Sequence, residues 1–177
     1  MAGMAGESTI IAGIAIPSAD PIFVGMVVIV HIPLGLACLV AGATAMLSNK
    51  RRGRHSTSGT VYFWCLLGLC ASATFLAFMR WSESYHLFLL GTLSFTSAWL
   101  GRTAVRQCWR HWLKLHIPGM GLSYILMLIA FYVDNGKQLP LWKDLPSFTY
   151  WLLPLVLGMP LIVWALLRHP LMRAARS

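Results

Sequence analysis

The residues able to do chemistry in this chain are chiefly histidines, and their positions are informative. His31 sits inside the apolar run VVIVHIPLGLACLV, where an ionisable side chain is rare and marks a functional candidate. His55 opens a second apolar run and is followed by Gly59 and Tyr62, whereas His116 opens a later one and is followed by Met120. Imidazoles from two helices suit axial ligation of a b-type haem, reaching the iron from opposite faces while apolar helices sandwich the porphyrin. His116 and Met120, four residues apart, project from one side of one helix and cannot supply both axial ligands. The cofactor expectation is therefore haem b, with His55 and His116 as metal ligands and Tyr62 and Met120 as further cofactor-binding residues. A bond to water or lipid phosphate is the plainer reading of the same histidines.

These side chains must be positioned by apolar helices. A bilayer crossing needs about 20 apolar residues, and five stretches meet that need: 21–47, 58–79, 85–101, 115–133 and 148–167. The expected fold is an all-α integral membrane bundle of about five transmembrane helices. A lead-in of residues 1–20 lies outside, the bundle covers 21–168, and a basic tail, 169–177, lies in the cytoplasm. At a rise of about 1.5 Å per residue, His55 and His116 fall at the inner interface, while His31 lies roughly 15 Å below the outer boundary. His86 begins the third span at the outer interface. Depth therefore pairs His55 with His116 and leaves His31 apart.

The helix faces agree with this arrangement. His31, Gly35, Cys38, Gly42 and Ala45 share one side of the first span, a face of small residues that lets a neighbouring helix approach closely. On the fourth span His116, Met120, Ser123, Met127 and Ala130 align, with Tyr124 beside them. Pro33, Pro154 and Pro160 interrupt spans and allow bends. The tripeptide His-Ile-Pro occurs at 31–33 and again at 116–118, too short a match to establish a repeat.

Composition narrows the function classes. With 58% hydrophobic and 11% charged residues and a mean hydropathy of +0.69, the chain suits lipid rather than a soluble domain. Its net charge of +9 arises from clusters between apolar runs, which argues for membrane topology and against a nucleic-acid partner. Lys50, Arg51, Arg52, Arg54, Arg102, Arg106, Arg110, Lys114, Arg168, Arg173 and Arg176 fall on one side of the five spans. The other side holds Arg80, Lys137, Lys143 and all five acidic residues. The positive-inside rule then places the N-terminus outside and the C-terminus inside, in a bacterial inner membrane. Arg102, Arg106, Arg110 and Lys114 recur every four residues, so 102–114 is expected to lie along the inner interface as an amphipathic helix touching anionic head groups. Trp81, Trp142, Tyr150 and Trp151 read as aromatic-belt residues. The four cysteines form no CxxC pair and read as packing residues. No carboxylate lies in a span or inner loop, which argues against an intramembrane hydrolase.

His31-x3-Gly35, Gly42, His55-x3-Gly59-x2-Tyr62, and WRHWLKLHIPGM followed by SYILMLIAFYVDN resemble a family of small bacterial multi-pass membrane proteins known as a domain of unknown function. The resemblance spans 28–135 and implies a helical bundle with histidines near helix ends at His31, His55 and His116, together with Gly59, Tyr62 and Met120. Ser56 departs from the basic residue usual after His55. The leading functional expectation is a haem- or metal-binding redox protein. The alternative is a non-catalytic accessory or assembly subunit, with a membrane-protein partner or a second copy of the chain. A small transporter centred on His31 is third.

Overall fold

The computed structural model of the chain describes residues 9–11, 14–16, 18–49, 53–140 and 142–168. Lys50, Arg51 and Arg52 of the basic loop, the expected tail 169–177, and residues 1–8 of the lead-in lie outside them. The chain divides into two compact units, residues 1–88 and 89–177.

The first unit opens with an antiparallel hairpin, β1 (Thr9–Ile11) and β2 (Ile14–Ile16), in register Thr9↔Ile16. Ile16 is 2% exposed and packs against Phe23 and Leu76, so the short apolar lead-in is anchored on helices. Asp20 then starts α1 (Pro21–Gly25): its Oδ1 accepts from the N–H of Ile22 at 2.7 Å and of Phe23 at 3.3 Å, with Pro21 in the first turn. A π-helical turn, Met26–His31, follows, and α2 (Ile32–Leu47) continues from it. After Gly53, whose φ of +123° favours glycine, α3 runs Arg54–Met79. Cys38, Ala41, Gly42 and Ala45 of α2 are buried, as are Tyr62, Leu66 and Leu69 of α3. The small-residue face expected on the first span is thus the one that packs.

Helix α4 (Trp81–Arg106) crosses from the first unit into the second, which also holds α5 (Trp112–Asn135) and α6 (Ser147–Arg168). Glycines let α4 and α5 meet backbone to backbone. A Cβ on Gly119 would lie 2.8 Å from Ser97 O and 2.9 Å from Gly101 Cα, and Ser94 Oγ donates to Ser123 O at 2.8 Å. The α5–α6 contact is reciprocal: Ile162 fills the notch at Gly121, and Ile125 fills the notch at Gly158. Leu90, Ile125, Ile129 and Ile162 form the buried core of this unit.

Two expectations are corrected here. Residues 102–114 are not one interfacial helix: α4 continues to Arg106, and a turn with Cys108 at φ +51° leads into α5 at Trp112. Arg110 lies in that turn, so the four-residue spacing does not mark one continuous helix. Tyr150 is not a belt residue. It is 3% exposed, its ring lies where Gly136 leaves room, and its hydroxyl meets Trp142 O at 2.9 Å.

All five long helices are present, which makes the chain an all-α helical membrane bundle. Four of them, Pro21–Leu47, Arg54–Met79, Trp112–Gln138 and Ser147–Arg168, are long and apolar enough to cross a membrane by length and composition. The fifth, α4, has the length but is the least apolar of the five.

Candidate functional site

The three singled-out histidines share one geometry, in which Nδ1 is held by a protein oxygen. His55, one residue into α3, donates from Nδ1 to Ala45 O at 2.8 Å. Ala45 belongs to the last turn of α2, whose carbonyls have no donor of their own helix, so His55 completes the end of α2. In the second unit His116 Nδ1 donates to Gly101 O at 3.1 Å, where the lack of a side chain on Gly101 lets α5 come close. His31 Nδ1 meets Ser72 Oγ at 2.9 Å, and Ser72 Oγ gives its one proton to Leu69 O at 2.8 Å. Ser72 therefore accepts and His31 Nδ1 donates. Because carbonyls only accept, all three rings are assigned the Nδ1–H tautomer by their partners, with the basic lone pair on Nε2.

That tautomer is chemically suited to ligation. A histidine that binds a metal characteristically gives its other ring N–H to a carboxylate, a backbone carbonyl or water, which fixes the ring and raises the basicity of the ligating nitrogen. Among the described residues no group of three His, Cys, Asp and Glu side chains could hold a metal ion.

The remaining candidates occupy distinct settings. Tyr62 is 2% exposed within the α2–α3 contact, and its carbonyl lies 3.9 Å from the Cys38 thiol that donates to it. Met120 is half-buried, with its carbonyl accepting from Ser123 Oγ at 2.8 Å and its backbone beside Gly101. Gly59 has open space around its Cα. His31 has Ser72, 17 residues beyond His55 on α3, as its partner. Sequence reasoning did not single out Ser72, a hydroxyl in the middle of an apolar run. Nor did it find the acceptor carbonyls of Ala45 and Gly101, since any residue supplies a carbonyl.

The repeated His-Ile-Pro tripeptide has one structural effect in both places. Pro33 follows the π-turn and Pro118 lies inside α5, so each proline removes a backbone donor two residues after a histidine pinned through Nδ1.

A family model described as a predicted membrane protein (DUF2306) matches residues 28–163. The chain belongs to the DUF2306 family. The match includes His31, His55 and His116 and runs from the π-turn to Val163 of α6. No curated protein and no solved structure matches the chain.

Proposed function

We propose that this DUF2306 member is a redox protein of the bacterial inner membrane in which His55 and His116 would hold a b-type haem through Nε2. The observation supporting it is the shared Nδ1–H···O=C bond, 2.8 Å at His55 and 3.1 Å at His116, which orients each ring and leaves Nε2 as its basic nitrogen. Bound haem would supply one-electron transfer, and the apolar helices would exclude water from it. Met120 completes the proposed cofactor-binding set, Tyr62, buried between α2 and α3, supports the helix that carries His55, and the basic ends of the helices meet anionic head groups at the inner face. The test is absorption spectroscopy of the purified full chain made with haem precursor. A Soret band that shifts on dithionite reduction, and that His55→Ala and His116→Ala each abolish, is the expected result. An unbanded wild type, or a full band in both variants, would overturn the assignment.

The composition of α4 favours a second reading, an accessory subunit of a larger membrane assembly. α4 is the least apolar of the five long helices, a composition that a partner helix would cover better than lipid. Gentle solubilisation would then recover the chain in a larger assembly, whereas a stable lone monomer would count against this reading.

A further inference from the structure

The first span carries a second polar feature that haem ligation by His55 and His116 does not use. In the π-helical turn Met26–His31 the N–H of Ile32 reaches back five residues to Val27 O. Pro33, the next residue, has no N–H. Val28 O thereby loses both donors that could serve it, Ile32 in α-helical spacing and Pro33 in π-helical spacing. Ile29 O and Val30 O are left with one N–H between them, that of Leu34, because Gly35 serves His31 in the regular helix that follows. Backbone carbonyls without donors are costly in hydrocarbon, and broken helices persist in membranes where another donor supplies the missing bond.

The bared carbonyls adjoin an ionisable ring. His31 closes the π-turn, with Nδ1 committed to Ser72 and the lone pair of Nε2 left to receive a proton. Ile29 and Pro33 are exposed, and Val28, Val30 and His31 are half-buried, so the rest of the first unit does not seal this stretch off. The other titratable or charged groups on the elements packed here are few. Cys38 on α2 donates to Tyr62 O, Cys65 and Cys70 lie on α3, and Arg54 and His55 open α3 about 17 residues from Ser72, His55 with its Nδ1 on Ala45 O. At the far end of α3, Arg80 pairs with Glu83 and lies 6.0 Å from the centre of the Phe23 ring, and Asp20 caps α1. None of these supplies a base beside His31.

We propose that the π-turn Met26–His31 is a hydrated proton-binding site inside the first span. Water donates to the carbonyls that Pro33 leaves bare, and His31 Nε2 takes a proton from hydronium. The product is an imidazolium whose Nδ1–H stays on Ser72 Oγ and whose new Nε2–H is given to the bound water. The ligand class is the proton with its water, and the site stands whether or not haem is bound.

The test is 15N NMR of the full chain, labelled at histidine and held in lipid nanodiscs, from about pH 8 to about pH 4.5, the range that brackets ordinary imidazole titration. The His31 signal, identified by its loss in His31→Gln, is expected as the Nδ1–H tautomer at high pH, moving reversibly to the doubly protonated form at low pH. Ser72→Ala should release the tautomer to Nε2–H, and this also identifies the signal if His31→Gln fails to fold. A His31 ring that does not move with pH, that is Nε2–H in the wild type, or that ignores Ser72→Ala would overturn the site.

Discussion

At the scale of single residues, each imidazole does structural work through Nδ1. His55 Nδ1 completes the end of α2 and His116 Nδ1 ties α5 to α4, so both bonds stabilise helix pairs before any ligand is considered. His55→Ala is therefore expected to lower thermal stability by about 1 kcal/mol, the net worth of one such bond, as well as to remove haem absorption. A melt of the variant in detergent, prepared without haem, checks the first effect separately; an unchanged midpoint would mean that the Ala45 bond contributes nothing. The histidines were legible as candidates because ionisable groups in apolar runs are rare. Their partners were not, because Ser72 is a common residue and backbone carbonyls carry no sequence signature.

At the scale of elements, glycines determine which helices approach. Gly119 meets the backbone of Ser97 and Gly101, which cannot move aside as a side chain does, so Gly119→Ala should cost about 1–3 kcal/mol by forcing α4 and α5 apart. Gly59→Ala, with nothing within 4 Å of the added Cβ, should instead raise stability by about 0.5–1 kcal/mol through helix propensity. Thermal unfolding of the two variants side by side tests the contrast, and equal effects of one sign would refute it. The helices themselves were readable from long apolar runs, and the first span begins and ends where composition placed it, at Pro21 and Leu47. The turn at 107–111 was not readable, because Arg102, Arg106, Arg110 and Lys114 keep a helical spacing across it. The π-turn was visible only as Pro33: a proline signals a missing donor but does not say which register the preceding turn adopts. Tyr150 was misassigned because an aromatic residue near a span end ordinarily faces the interface, and Gly136, which admits its ring, lies 14 residues away in sequence.

At the scale of the whole molecule, the main topological question rests on α4. Its 26 residues extend about 39 Å, enough to cross a bilayer, although its composition is less apolar than that of its neighbours. With α4 as a fifth crossing, the termini would fall on opposite faces of the membrane, and the proposed orientation puts the arginine-rich ends of the helices inside. Reporter fusions at the two ends should therefore read opposite sides, and readings on one side would mean that α4 does not cross. The role proposed for this bundle is that of a membrane redox carrier. The most direct measurement is the reduced-minus-oxidised absorption spectrum of the purified wild-type chain beside that of His116→Ala. A b-type difference spectrum in the wild type that vanishes in the variant is expected; a flat wild-type spectrum, or one that survives unchanged in the variant, would contradict the account.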